Sequence, residues 1–168
     1  HSFSKDGQAR DWDGIRAYHK SFRYQGEIIT EGQYEEYKRS GHTAGLERPW
    51  VDVGYAIGIE AVNGQLEIQK GRPIKSPGAH TLGLDAKGRS FNRYYIGVCL
   101  VGNFDTEPPD ESRLFLLGSM CRDFQRMFGF ARDHVLGHGE TYPIRGVPVE
   151  KSCPGAMFDL GKFRERLI

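Results

Sequence analysis

The sequence has no long hydrophobic run. Its longest largely apolar stretches, Tyr55 to Ile59 and Ile96 to Val101, are far shorter than the ~20 residues that a membrane-spanning helix requires, so we expect no membrane span. The sequence also has no excess of charge of one sign, because 23 Lys and Arg residues face 22 Asp and Glu residues and leave a formal net charge of +1. Without a strong positive field we do not expect nucleic acid as a partner.

Cysteine is scarce as well. Cys99, Cys121 and Cys153 are too few and too scattered for the disulfide framework of a small secreted domain, so an oxidising compartment is not required. We interpret Cys99 and Cys121 as thiols of the core, with a disulfide between them as the alternative. The start of the chain lacks the basic patch, apolar run and cleavage site of a retained secretory signal, which leaves a removed signal open.

The composition is that of a folded globular chain. With 38% hydrophobic and 27% charged residues in 168, the chain is long enough for one hydrophobic core, and we predict a single domain over residues 1–168. Residues 23–49 are polar and interrupted by glycine, which predicts an insertion that forms a surface excursion. One helical candidate, Gly32 to Ser40, lies inside it.

The spacing of apolar residues predicts an α/β fold with a central mixed sheet flanked by helices. We predict a hairpin in which Asn63-Gly64 joins Val51–Val62 to Gln65–Gln69, and a long surface loop at Arg72–Arg89. The other predicted strands are Ile96–Phe104 and Val135–Gly137, and the predicted helices are Asp13–Phe22, a helix that opens at Pro108-Pro109-Asp110 and runs to Phe128, and Phe158–Leu167.

His138 and Cys153 are candidate metal ligands. They lie fifteen residues apart, and an imidazole with a thiolate is a donor set that suits zinc, which in catalytic sites keeps three protein ligands. Spacing alone is a weak signal, because a single cysteine is more often an inert buried thiol.

Short sequence blocks around these residues decide the interpretation. They cover most of the chain outside 23–49: His1-Ser2, Ile15 to Lys20, Trp50 to Tyr55 (WVDVGY), Gly71 to Pro73, Gly78 to His80, Ile96 to Phe104 (IGVCLVGNF), His138 and Lys151 to Gly155 (KSCPG). In this order they resemble the zinc-dependent N-acetylmuramoyl-L-alanine amidases of the phage lysozyme and peptidoglycan recognition protein type.

The resemblance implies a zinc ion at His1, His138 and Cys153 that activates water for attack on an amide carbonyl. Tyr55 and Lys151 match positions that assist catalysis in the phage enzymes. His80 and Arg72 are expected to contact the substrate, a peptidoglycan fragment or muropeptide, and we expect a monomer. By contrast, His19 is interpreted as structural, and His42 and His134 match no ligand position.

The sequence also departs from the family pattern. Ala56 stands where the family usually has His, and Tyr94-Tyr95 replace a small polar pair, so the substrate groove is expected to differ. The insertion adds four glutamates that are candidates for a general base: Glu27, Glu31, Glu35 and Glu36.

Three classes of function are compatible with these observations. The first is an amidase that cleaves between N-acetylmuramic acid and L-alanine, as an endolysin or autolysin does. The second is a module that binds the muropeptide without cleaving it, and relatives of that kind often lose the cysteine, so Cys153 favours the enzyme. The third is a structural protein in which His138 and Cys153 have no metal, which stoichiometric zinc would exclude.

Overall fold

The structure is a computed structural model that describes residues 11–168. The predicted ligand His1 therefore lies outside the described residues. The helices are α1 (Trp12–His19), α2 (Glu31–Arg39), α3 (Phe91–Tyr94), α4 (Glu111–Phe128), α5 (Thr141–Ile144) and α6 (Leu160–Arg164); the strands are β1 (Phe22–Tyr24), β2 (Glu27–Ile29), β3 (Leu46–Glu47), β4 (Ile57–Val62), β5 (Gln65–Lys70) and β6 (Val98–Leu100).

A mixed sheet with the order β5-β4-β6 confirms the predicted α/β class. The turn at Asn63-Gly64 joins β4 to β5 as an antiparallel hairpin, and β6 lies parallel to β4. The first strand of this hairpin, β4, is shorter than predicted because it begins at Ile57 rather than at Val51. Residues 54–56 instead make backbone hydrogen bonds to three separate segments, at residues 71–72, at Ala79 and at Gly97.

A second, antiparallel sheet with the order β2-β1-β3 forms within the predicted excursion. The sequence predicts no strand there. Gln25 and Gly26 both have positive φ and make a two-residue turn between the paired residues Tyr24 and Glu27. Helix α2 follows within one residue of its predicted bounds, with Thr30 and Gln33 forming a capping box. We call β1, β2, β3 and α2 together the side sheet.

Two apolar clusters form the core around the mixed sheet. One joins β4 and β6 to α4 and the C-terminal segment, including Ile59, Leu100 and Phe163. The other lies between α1 and β6 and includes Trp12 and Val53. In the part of the chain that the structure describes, no helix is both long and apolar enough to cross a membrane.

All three cysteines are free thiols. Cys99 and Cys121 are buried in different clusters, which confirms them as core thiols and excludes the disulfide alternative. Burial raises the pKa of Cys99 to about 12 and that of Cys121 to about 11, because a thiolate in an apolar core lacks solvation.

Several predicted elements are shorter or missing. Helix α1 ends at His19, so Phe22 belongs to β1, and β6 and α6 occupy only the middle of their predicted ranges. The predicted strand Val135–Gly137 does not form. It lies between two 3-10 turns, Arg132–His134 and His138–Glu140, and the Val135 carbonyl accepts hydrogen bonds from the Arg164 guanidinium rather than from a neighbouring strand.

Candidate active site

A cavity of about 890 Å³ brings together four of the residues selected from the sequence. Tyr55, His80, His138 and Cys153 all line it, although they are separated by up to 98 positions along the chain. The same cavity continues between β6 and α4, where its lining is apolar. Such a concave space with a few convergent polar groups is the usual form of a ligand site.

His138 and Cys153 lie on two turns that are bonded to each other. The backbone N–H of Gly139 donates to the carbonyl of Cys153 at 2.6 Å. We call residues 137–140 and 152–156 the ligand turns. This contact holds the imidazole and the thiol on neighbouring segments of the cavity wall.

The turn that carries His138 is held by an ion pair. Glu140 accepts from the backbone N–H of Gly137 at 2.9 Å and from Nη1 of Arg164 at 3.0 Å. Arg164 also donates to the carbonyl of Val135 through Nε at 2.9 Å. A bidentate guanidinium between a carboxylate and a carbonyl fixes geometry as well as charge.

His138 is held in the form that binds a metal. Burial, followed by the nearby positive charge of Lys151, lowers the pKa of His138 to about 4. The imidazole is therefore neutral near pH 7, and a neutral imidazole has a lone pair for a metal ion.

The described residues include two of the three predicted zinc ligands, His138 and Cys153. A neutral imidazole and a thiol on adjoining turns match the donor set that zinc takes, and a catalytic zinc site has a third protein ligand. Within residues 11–168 no three His, Cys, Asp or Glu side chains group so as to hold a metal ion. The third predicted ligand, His1, is outside that range.

Tyr55 stands on the wall formed by the residues just before β4. Its carbonyl accepts from the N–H of Arg72 at 2.9 Å, and the next residue, Ala56, donates to the carbonyl of Gly97 at 2.9 Å. Burial, together with Cys99 and Cys153, raises the pKa of the Tyr55 phenol well above its usual value. The hydroxyl therefore keeps its proton and remains a hydrogen-bond donor at neutral pH.

His19 adjoins this wall. The sequence did not predict that position. Its Nδ1 accepts the backbone N–H of Gly54 at 3.2 Å, and its ring stacks on Trp50 at 4.5 Å and lies 5.9 Å from the ring of Tyr55. Burial, then Arg23, Arg72 and Lys151, lowers the pKa of His19 to about 4. Nδ1 must be unprotonated to accept, so the same hydrogen bond requires the neutral ring.

His80 lies in the cavity, as expected for a groove residue. The side-chain oxygen of Asn92 accepts from the N–H groups of His80 and Thr81 at 2.8 and 3.1 Å. Nε2 of His80 lies 3.1 Å from the carbonyl oxygen of Tyr95. Since a carbonyl can only accept, Nε2 carries the proton and Nδ1 is left as an acceptor.

Lys151 and Arg72 lie outside the lining of the cavity. Lys151 is exposed, and its positive charge is one of the causes that lower the pKa of both His138 and His19. Arg72 donates to the carbonyls of Val53, Pro77 and Asp52 at 2.8, 3.0 and 3.2 Å, and this holds the segment that leads to Tyr55.

The residues that depart from the family pattern lie only partly at the cavity, since Ala56 is not among the described residues that line it. Tyr94 and Tyr95 both line it, and the Tyr95 hydroxyl donates to Asp85 at 3.2 Å. The four glutamates of the insertion lie on β2 and α2, and none of them is among the described residues that line the cavity.

Comparison with known proteins gives one match. The family model described as N-acetylmuramoyl-L-alanine amidase matches residues 4–156. Comparisons with curated proteins and with solved structures found no significant match.

Proposed function

Because the chain belongs to the N-acetylmuramoyl-L-alanine amidase family, we propose that it is a zinc-dependent enzyme that cleaves the amide between N-acetylmuramic acid and L-alanine in peptidoglycan. The observation that carries the proposal is that His138 and Cys153, on turns bonded to each other, share one cavity with Tyr55 and His80. We further propose that it works as a monomer on the bacterial cell wall, as an endolysin or autolysin does.

His138 and Cys153 would hold the zinc ion together with His1. When bound, zinc polarises a carbonyl oxygen and makes water nucleophilic near neutral pH. No side chain of the protein then has to attack the amide. What the chain supplies is the orientation of the substrate and donors for the charge that develops on the carbonyl oxygen.

Tyr55 and Lys151 are the proposed donors to that oxygen. The raised pKa of Tyr55 keeps its hydroxyl protonated, and its place between backbone hydrogen bonds on both sides limits its movement. Lys151, two residues before Cys153, brings a positive charge that acts on both His138 and His19. Fixed donors of this kind stabilise a transition state more than a ground state because they need no reorganisation.

His80 and Arg72 are proposed to shape the groove for the substrate. His80 presents Nδ1 as an acceptor because Nε2 is directed at the Tyr95 carbonyl, which suits an amide N–H of a peptide stem. The guanidinium of Arg72 is bonded to three backbone carbonyls, so its contribution to substrate binding is through the wall that it holds.

Digestion of purified sacculi tests the proposed function. The amidase is expected to expose new L-alanine amino groups without new reducing sugar ends, and to stop when a strong chelator removes zinc. Wall binding without new amino groups would instead identify a recognition module. New reducing ends would contradict the proposed bond.

A further inference from the structure

Asp105 bonds to both sides of the turn that carries Cys153. The hydroxyl of Ser152 donates to Oδ2 of Asp105 at 2.6 Å, and the backbone N–H of Ala156 donates to Oδ1 at 2.8 Å. One carboxylate therefore spans the turn, from the residue before Cys153 to the third residue after it. Asp105 is 47 positions from Ser152, so this is a tertiary contact.

The neighbouring backbone supports the same attachment. The N–H of Met157 donates to the carbonyl of Phe104 at 2.8 Å. Gly155 has φ of +123° and packs so closely that a Cβ there would lie 2.4 Å from the carbonyl carbon of Phe104. The turn is thus seated on residues 104–105, just beyond the end of β6, while Cys153 itself bonds to Gly139 on its other side.

Asp105 is placed to act through the turn and not on the substrate. It is exposed, it is absent from the residues that line the cavity, and each of its oxygens accepts one hydrogen bond from the turn. Removing it would delete both of these hydrogen bonds and leave the turn attached through Met157 and Gly139. Cys153 would then be less ordered before a metal binds. The ordering that binding then requires lowers metal affinity because it costs conformational entropy.

We propose that Asp105 is a positioning residue for Cys153, and that its two hydrogen bonds to the ligand turn set the affinity of the protein for zinc. The inference rests on the proposed function, which makes Cys153 a zinc ligand. Partners that orient metal ligands typically change metal affinity by about 10- to 100-fold when they are mutated. We expect a value near the lower end, since Asp105 holds the backbone rather than the thiol.

Zinc affinity of the purified chain, measured by competition with a chromophoric chelator, tests the proposal. Asp105→Ala should weaken zinc binding by about tenfold or more, and Ser152→Ala by less. The double variant should bind like Asp105→Ala, because the hydroxyl of Ser152 has already lost its acceptor. Asp105→Asn keeps an oxygen for the N–H of Ala156 and should lie between Asp105→Ala and the parent.

Asp110→Ala is the matched control. Asp110 is exposed and, like Asp105, accepts one backbone N–H and one side-chain donor, both from Arg113 at the start of α4. The Asp110→Ala variant should have a lower unfolding temperature than the parent and the same zinc affinity. If Asp105→Ala does not fold, Ser152→Ala carries the same test, because it removes a single hydroxyl from an exposed position.

Three outcomes overturn the proposal. Parental zinc affinity in folded Asp105→Ala and Ser152→Ala would reject the role of Asp105 and leave the proposed function intact. A loss of affinity in Asp110→Ala equal to that in Asp105→Ala would show an effect of stability alone. A parent chain that binds no zinc would reject the metal site itself, and the positioning role with it.

Discussion

The side sheet and the ligand turns differ in two respects: how much regular secondary structure they have, and whether they carry residues that line the cavity. The side sheet, between Phe22 and Glu47, has three hydrogen-bonded strands and a capped helix, yet within residues 11–168 it contributes no residue to either apolar cluster or to the lining of the cavity. The ligand turns contain only one 3-10 turn and no strand, yet they carry His138 and Cys153.

The two regions are held in place by different kinds of hydrogen bond. The strands of the side sheet are joined by regular backbone hydrogen bonds. The ligand turns depend on individual side chains instead: Glu140, paired with Arg164, holds residues 137–140, and Asp105 holds residues 152–156. A side chain that fixes a turn can be removed by one substitution, but a ladder cannot. Single substitutions should therefore affect function most at the turns and least in the side sheet.

The largest effect is expected at Cys153. Cys153→Ser replaces the thiolate with a hydroxyl, which is a much poorer zinc ligand, so zinc should fall from about one per chain to near zero and wall digestion to background. Metal analysis and the sacculus assay measure both. Cys121→Ser is the control: it removes a buried thiol of the core and should lower stability while zinc is retained. Full zinc and full activity in Cys153→Ser would contradict the ligand assignment.

Lys151→Ala should have the next largest effect. Loss of one fixed donor to a developing oxyanion typically lowers turnover by roughly 10²- to 10³-fold, with KM changed little. Zinc content should stay at the parental level, because Lys151 is not a ligand. Lys162→Ala, which removes an exposed charge from α6, should leave turnover unchanged. Parental turnover in Lys151→Ala would remove Lys151 from the mechanism.

The parts of the fold that could be predicted from the sequence are those with a local signal. Asn63-Gly64 specifies a hairpin turn wherever it lies between strand-forming residues. The apolar residues from Leu114 to Phe128 predict α4 because their spacing of three and four places them on one face of a helix. His138, Cys153 and Tyr55 were found through blocks of residues around them, and the cavity brings these three together.

The contacts that position the site could not be predicted, because they join distant residues without any local pattern. Nothing near His19 indicates that its ring meets Gly54, and nothing near Asp105 indicates Ser152. The strand expected at Val135–Gly137 failed for a related reason, since the charge of Arg164 holds the Val135 carbonyl. The spacing of apolar residues predicts which residues are buried. It does not predict hydrogen bonds between a side chain and a residue far away in the sequence.

His19 is expected to make stability depend on pH. Its pKa in the folded protein, about 4, lies below the ordinary 6.5, so the unfolded chain binds more protons between these values and folding is favoured at higher pH. The contribution is complete above pH 6.5 and is lost as pH falls towards 4. At 1.36 kcal/mol per pKa unit the loss reaches about 3 kcal/mol.

Denaturant unfolding of the parent and of His19→Asn between pH 4 and 8 measures this contribution. The Asn side-chain oxygen can replace Nδ1 as acceptor for the N–H of Gly54 but does not titrate. Since His138 and His80 also have lowered pKa values, both proteins should lose stability in acid, and the parent should lose more. Parallel curves would mean that the environment of His19 does not exclude its charged form.

The smallest effect on zinc binding is expected from shortening the side sheet. The structure shows between which residues the chain can be rejoined. Gln25 N–H donates to the carbonyl of Gly45 at 2.8 Å, and both residues have positive φ, 52° and 75°. Joining Gln25 directly to Gly45 therefore makes a two-residue turn of the kind that closes hairpins. It keeps β1 paired with β3 and retains the ion pair of the buried Arg23 with the exposed Glu47, while β2 and α2 are removed.

We predict that residues 23–49 lie beside the groove and set substrate preference. This deletion should therefore leave zinc content and the amidase reaction intact but change which peptidoglycan chemotypes are cut. It exposes Phe22, whose ring packs on Tyr34 at 4.9 Å, so a stability loss of about 1 kcal/mol is expected from the lost aromatic pair. Tyr34→Ala in the full chain removes that contact while keeping the segment, and it should reproduce the stability loss without the change in preference. Global unfolding of the shortened chain, or an unchanged preference across walls of different stem peptides, would show that the side sheet supports the core instead of the choice of substrate.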